Sequence, residues 1–234
     1  MRIVIFANGD LGDPVSTARL WIRDEDCIVA ADGGTHHVLR AGLHPHHVIG
    51  DLDSLSPTLR TELERAGTQF HISPPQKDET DLELALKWAA SLDGVQEILV
   101  LGALGGRPDQ ALANLLLLAL PELAPYRVRV IDGAWTIQTI RGGARCEIAG
   151  KPGDRVSLIP LGGPAEGVTT TGLAYPLHNE PLHFGPARGV SNTLIGPRAT
   201  VSVARGIVWC FHERQDMADA LSAAKGASEG PHQT

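Results

Sequence analysis

Cysteine is scarce in this chain of 234 residues, which holds only Cys27, Cys146 and Cys210. An odd number, widely spaced and without a Cys-x-x-Cys pair, predicts neither a disulfide framework nor a thiolate zinc site, and it fits a reducing cytoplasm. Basic residues are outnumbered, 20 Lys and Arg against 27 Asp and Glu, and the net charge of -7 argues against a general nucleic-acid binder, which needs a basic face. It leaves room for a small phosphate-bearing ligand, because a divalent cation can supply the positive charge. Long hydrophobic runs are also missing. The longest, "ALANLLLLAL", is broken by Asn114 and falls below the roughly 18 residues that a membrane span needs. The start, "MRIVIFANGD", turns polar too soon for a signal peptide. Neither an internal repeat nor a Gly/Ser-rich linker occurs. The apolar fraction of 43% excludes wholesale disorder, so the expectation is a soluble protein of one large or two modest domains.

The two halves differ in rhythm. Up to about residue 133, the apolar runs "RIVIFA", "CIVAAD", "HVIGD", "TQFHIS", "EILVLGA" and "RVRVID" read as strands, mostly buried on both faces. Helical spacing fills the gaps, in "GTHHVLRAG", "PTLRTELERAG", "TDLELALKWAASL" and "PDQALANLLLLALPEL". That alternation predicts a parallel sheet covered by helices, with ligands beyond the carboxyl ends of its strands. From about residue 134, short strands divided by Gly and Pro predict an antiparallel sandwich or barrel. The expected fold class is α/β: residues 1–133 as an N-terminal, mostly parallel α/β domain, then residues 134–212 as an all-β domain. Residues 213–234 can begin as a short helix but end in small and polar residues, and are expected to be a frayed, flexible tail.

The polar clusters fall at the predicted strand ends. In "VIGDLDSLSP", Asp51 and Asp53 point the same way in an extended segment and repel one another unless a cation sits between them. The alternative is a turn in which one caps and the other is solvated. "AADGGTHH" opens a helix at Gly33-Gly34, either as a tight connection or as a place where backbone amides approach a phosphate. In "KDETDLELAL", Thr80 and Glu83 form a capping box, yet Lys77, Asp78 and Asp81 crowd the same turn beyond what capping requires. "LGALGGRPDQ" offers Gly105, Gly106, Arg107 and Asp109 either as ordinary helix-start signals or as a phosphate grip. "PARGVSN" gathers Arg188, Ser191 and Asn192 in one donor-rich loop.

Taken together and in order, "ADGG", "VIGDLDS", "KDETDLELAL", "GALGGRPDQALAN" and "GLAYPLHNEPLHFGPARGVSN" resemble the thiamin pyrophosphokinase family, over about residues 1 to 211. The resemblance implies a Rossmann-like α/β catalytic domain followed by a β-sandwich. It implies transfer of a diphosphoryl group from ATP to the hydroxyethyl oxygen of thiamin, giving thiamin diphosphate and AMP. Asp51, Asp53 and Asp81 match the family's magnesium ligands. Asp32, Gly33 and Gly34 match the nucleotide side. Lys77, Asp78, Thr80, Arg107 and Asp109 match the phosphate and transition-state shell, and Arg188, Ser191 and Asn192 match the loop that holds thiamin. The resemblance also implies a homodimer with shared active sites.

Some positions depart from the pattern. Gln110 stands where the family often has histidine, and Ala187 and Leu194 leave the thiamin pyrimidine without its usual stacking partner. Trp209 is a candidate for that role, though a tryptophan in "GIVWCF" reads first as core. His36 and His37 are expected on the helix surface. Two rival functions fit less well: a pyrophosphokinase for another alcohol such as a pterin, which has no reason to keep "RGVSN", and a non-catalytic nucleotide sensor, which has no reason to keep the three aspartates.

Overall fold

In the computed structural model the described residues are 1–228, with 222–228 described as helical backbone only. They fall into two compact units, one of Met1–Asp132 and one beginning at Gly133.

The first unit is built on a parallel sheet. Its strands are β1 (Arg2–Phe6), β2 (Cys27–Ala31), β3 (His47–Gly50), β4 (Gln69–Ile72), β5 (Glu97–Leu101) and β6 (Arg127–Asp132), in the order β4-β3-β2-β1-β5-β6. Every pairing within it is parallel. The central strands are apolar along their length because helices cover both faces, and Ile3, Val4, Ile5 and Phe6 of β1 are fully buried. The expectation of burial on both faces fails at β4, an edge strand whose four residues are all at least partly exposed.

The connecting helices are α1 (Pro14–Trp21), α2 (Gly34–Arg40), α3 (Pro57–Arg65), α4 (Asp81–Ala90) and α5 (Pro108–Leu116). Helix α1 carried no expectation, although Asp13-Pro14 announces it: the Asp13 carboxylate accepts from the amides of Val15 and Ser16. At α4, Thr80 Oγ1 accepts from the Glu83 amide at 3.2 Å, as a capping box requires, while the Glu83 carboxylate reaches forward to Lys87 Nζ at 2.7 Å. Strand order runs outward from β1 in both directions, so β1 and β5 flank the point where the winding reverses. Ligand crevices open beyond strand carboxyl ends at such points.

The second unit is antiparallel. Its strands are β7 (Trp135–Arg141), β8 (Arg145–Ala149), β9 (Arg155–Thr171), β10 (Glu180–Leu182), β11 (Asn192–Thr193), β12 (Arg198–Ser202) and β13 (Arg205–Glu213). The main path is β7-β13-β9-β12-β8, with β10 and β11 also on β9. The stretches "RVSLIPLG" and "GVTTTGLAYPL", which Gly and Pro divide into two short strands on sequence alone, meet in one bent strand. β9 pairs β13 through Arg155–Leu161, bulges from Gly162 with φ of +72°, pairs β13 again at Glu166, and pairs β12 through Thr169–Thr171. Val156, Leu158, Val168, Leu173, Val201, Val208 and Cys210 form its core.

The tail expected from residue 213 is helical as far as Ser228, as α6 (Gln215–Ser228); residues 229–234 lie outside the described residues. Helix α6 starts where it does because buried Asp154 accepts from the Gln215 amide at 3.0 Å, and from His212 Nε2 at 3.2 Å. Among the described residues no helix is long and apolar enough to cross a membrane.

Candidate active site

Two loops, at the carboxyl ends of β2 and β3, and the start of α4 bring the acidic residues together. Strand β2 pairs β3 with Ala31 opposite Ile49, so Asp32, just past β2, lies beside Gly50 and the segment that follows β3. Carboxylate oxygens of Asp32, Asp51 and Asp53 lie within 4.8 Å of one another. Asp81, at the first position of α4, approaches the same point: a Cβ on Gly50 would sit 2.9 Å from both Asp32 Cβ and Asp81 Oδ1. Glycine at position 50, with φ of +151°, is what lets those carboxylates converge.

The backbone is strained here. Asp32 and Leu52 have φ of +40° and +64°, and such non-glycine conformations concentrate at functional sites. Asp32 is buried, Ser54 Oγ donates to its Oδ2, and its buried Oδ1 has no hydrogen-bond partner among the described residues. Burial raises the Asp32 pKa, and the charges of Asp81 and Asp53 push in the same direction against the Ser54 bond. The resemblance implies that Asp32 lies on the nucleotide side; its carboxylate groups with those of Asp51 and Asp53, and the residue also lines the cavity described next. Asp81 instead has a counter-charge within its own turn, with Lys77 Nζ at 2.5 Å from Oδ1. Lys77 Nζ also donates to Ser73 Oγ at 2.6 Å. Ser54 carried no expectation, and only its position beside Asp53 could have suggested it.

Next to these carboxylates lies a cavity of about 470 Å³, lined by Asp32, Gly33, Thr80 and Asp81 on one side and by Gly105, Gly106, Arg107 and Gln110 on the other. Asn8, Gly9 and Asp10, which follow β1, complete the wall. Gly33 is needed because a Cβ there would lie 2.4 Å from Asn8 Nδ2, and Gly34 because a Cβ would lie 2.0 Å from the Phe6 carbonyl oxygen. Arg107 and Asp109 are exposed and pair with each other at 2.5 Å, which lowers the Asp109 pKa. Asp78 is exposed. His36 is exposed as expected, but His37 is buried, which overturns the surface reading for that residue.

The remaining candidates lie in the second unit. Arg188 is ion-paired to Glu180. Ser191 has φ of +62° and its amide donates to Ser157 Oγ at 3.0 Å. Asn192 clips residue 175, accepting from the Tyr175 amide at 3.0 Å and donating to its carbonyl at 2.7 Å. The Tyr175 ring is 74% exposed, and Phe184, Val190 and Ile195 are exposed as well. Trp209 is 8% exposed and therefore belongs to the core. Tyr175 was overlooked because nothing in "GLAYPL" says that its ring is left outside.

The sequence matches two domain families: "Thiamin pyrophosphokinase, catalytic domain" over residues 18–129 and "Thiamin pyrophosphokinase, vitamin B1 binding domain" over residues 145–208. It is 36% identical over 182 residues to a protein of Bacillus subtilis named thiamine pyrophosphokinase, covering 77% of this chain and 84% of that one. Thiamine pyrophosphokinase 3 of Oryza sativa is 28% identical over 227 residues, 86% of this chain and 84% of that one. Among solved structures, thiamine pyrophosphokinase from Bacillus subtilis superposes with a TM-score of 0.80 at 30% identity, over 92% of this chain and 100% of that one. The yeast enzyme gives 0.73 at 17% identity, over 91% and 86%, a likeness of fold. The chain belongs to the thiamin pyrophosphokinase family.

Proposed function

We infer that this chain moves a diphosphoryl group from ATP to the hydroxyethyl oxygen of thiamin, releasing thiamin diphosphate and AMP. The observation that carries the reading is the meeting of Asp32, Asp51 and Asp53 within 4.8 Å beside a cavity whose far rim is Gly105-Gly106-Arg107. The first unit is then a Rossmann-like catalytic domain and the second a β-sandwich that holds thiamin, joined near Gly133.

Magnesium suits this donor set. Three hard carboxylate groups converge, and the Asp32 oxygen without a partner is the kind of atom a cation satisfies. Asp51 and Asp53 would hold the ion, with Asp32 and Asp81 at its edge. The ion supplies charge neutralisation on the triphosphate and Lewis acidity at the attacked phosphorus. The chain's own residues do the rest. Arg107 turns from Asp109 onto phosphate oxygens, its guanidinium fork matching two of them. Lys77 sits within reach of the same charge from the start of α4. The glycines admit the phosphates close to the backbone, which fixes the reacting phosphorus in line with the incoming oxygen.

On the acceptor side, Arg188, Ser191 and Asn192 hold thiamin, and the exposed Tyr175 ring offers the stacking surface that Ala187 and Leu194 do not. Tyr175 replaces Trp209 in that role, since Trp209 is buried. We read the working form as a cytoplasmic homodimer in which each site draws on both chains; three cysteines in no disulfide suit that compartment. Incubating the purified protein with ATP, magnesium and thiamin should yield AMP and thiamin diphosphate in equal amounts. AMP without thiamin diphosphate, or transfer to a pterin in its place, would sink the reading.

A further inference from the structure

We propose that His37 is a positioning residue for the nucleotide, fixing the Gly9 carbonyl so that this oxygen is not turned toward the phosphates. The inference rests on the reading of the cavity as the ATP site.

The tautomer of His37 follows from its neighbours. Its Nδ1 lies 2.6 Å from Nη2 of Arg40, one turn further along α2. A guanidinium can only donate, so Nδ1 is the acceptor and the ring proton is on Nε2. Nε2–H then donates to the Gly9 carbonyl oxygen at 2.8 Å. Burial lowers the His37 pKa, which keeps the ring in this neutral form near neutral pH.

Gly9 has no other freedom. Its amide donates to the Gly102 carbonyl at 2.7 Å, and the Asp10 amide donates to the Leu104 carbonyl at 2.8 Å. A Cβ on Gly9 would lie 2.4 Å from the Leu104 oxygen and 2.5 Å from the Gly102 oxygen. The segment that follows β1 is thus held to the loop after β5 by its amides and to α2 by its carbonyl. Both segments line the cavity, on either side of the point where the sheet's winding reverses. Without His37 the Gly9 carbonyl loses its donor, turns to water in the cavity, and sets a negative dipole end toward an incoming triphosphate. The peptide plane that joins Gly9 to Asp10 is then held only by the Asp10 amide on the Leu104 carbonyl.

The test is calorimetric titration of the full chain with ATP and magnesium, alongside steady-state kinetics and thermal melting. His37→Leu should weaken ATP binding about tenfold, the order expected for a lost hydrogen bond to a buried acceptor. The thiamin KM should stay within about twofold. His37→Gln, whose amide can still donate to Gly9, should recover most of the affinity. Arg40→Leu alters only the exposed end of α2 and frees the tautomer without touching Gly9; it should weaken ATP binding by about threefold, and it keeps the idea testable if His37→Leu does not fold. Unchanged ATP affinity in His37→Leu, or in Arg40→Leu where His37→Leu does not fold, would overturn the inference, as would equal losses for ATP and thiamin. A wild type that binds ATP yet makes no thiamin diphosphate would sink the function proposed above and leave this inference standing. A wild type that binds no ATP would sink both.

Discussion

Lys77 and Asp81 are joined at 2.5 Å across the turn that opens α4, so one of the acidic residues at the site already has a cation from its own chain. The same lysine is held by Ser73, which keeps it beside the carboxylates. Replacing Lys77 by Met removes positive charge next to four aspartates. Magnesium binding should tighten by a few-fold, while kcat falls at least about tenfold because charge that faces the phosphates is lost. Opposite movement of metal affinity and turnover is the signature, read by calorimetry and steady-state kinetics. Parallel losses would place Lys77 in a purely structural role.

Asp53 is exposed, and its hydrogen bonds to Asp51 and Ser54 lie within its own loop, whereas Asp32 is buried. Asp53→Asn should therefore lower kcat by at least about a hundredfold, since the bound cation stabilises the transition state by several kcal/mol. The Tm without magnesium should hold or rise, because one like charge is gone. Near-normal turnover would remove Asp53 from the metal site.

Arg188 is tied to Glu180 rather than left free in its loop. Arg188→Ala should raise the thiamin KM about tenfold or more and leave ATP binding unchanged. Glu180→Gln, which releases the arginine without deleting it, should have a smaller effect on the same parameter. If ATP affinity falls by the same factor as thiamin affinity, the loop does not belong to thiamin.

Under the shared-site arrangement proposed above, Asp53→Asn and Arg188→Ala should rescue one another. A mixed dimer concentrates both lesions in one site and leaves the other intact. Random remixing makes half the dimers mixed, so activity should return to roughly a quarter of wild type. Mixed dimers that form without recovery would mean that each chain builds its own site.

Four buried or half-buried histidines, His37, His47, His71 and His212, have pKa values held below 6.5, in each case first by burial. Below pH 6.5 the unfolded chain takes up protons that the folded chain refuses. Their contribution to stability is therefore complete above that pH and is lost as pH falls through the folded values. The urea midpoint should drop between about pH 7.5 and 5.5. His47 and His71 lie 3.2 Å apart beside Trp88, so the double replacement by Phe keeps the ring packing and should flatten part of that dependence. A double variant as acid-sensitive as wild type would acquit the pair.

What the sequence discloses and what it conceals divide on a physical line. Strands β1, β2 and β5 are plain in "RIVIF", "CIVAA" and "EILVL" because both faces are buried, and burial writes itself into composition. Helix α1 is hidden because the residues it buries, Pro14, Thr17 and Ala18, include no large apolar side chain, leaving only its cap as a sign. The bend of β9 at Gly162 reads as a chain break because glycines mark turns and bends alike. At the site, Asp51 and Asp53 are legible as neighbours in sequence. The arrival of Asp32 depends on the register of β2 against β3, and the burial of His37 on where the segment after β1 comes to rest. Such facts belong to pairs of distant segments, and no local pattern holds them.

The long β9 strand has one more consequence. It takes part in the ladders of β13, β12, β10 and β11, so loosening it detaches four partners together. The unit should open to hydrogen exchange as a single step, with no soft margin from which to unravel. The donor-rich loop is hung directly on that strand: the Leu158 amide donates to Gly189 at 2.8 Å, and Asn192 pairs with Val156. If the loop holds thiamin as proposed above, that cationic ligand meets a rigid mould instead of a closing hand, and little of its binding free energy is spent on stilling the protein.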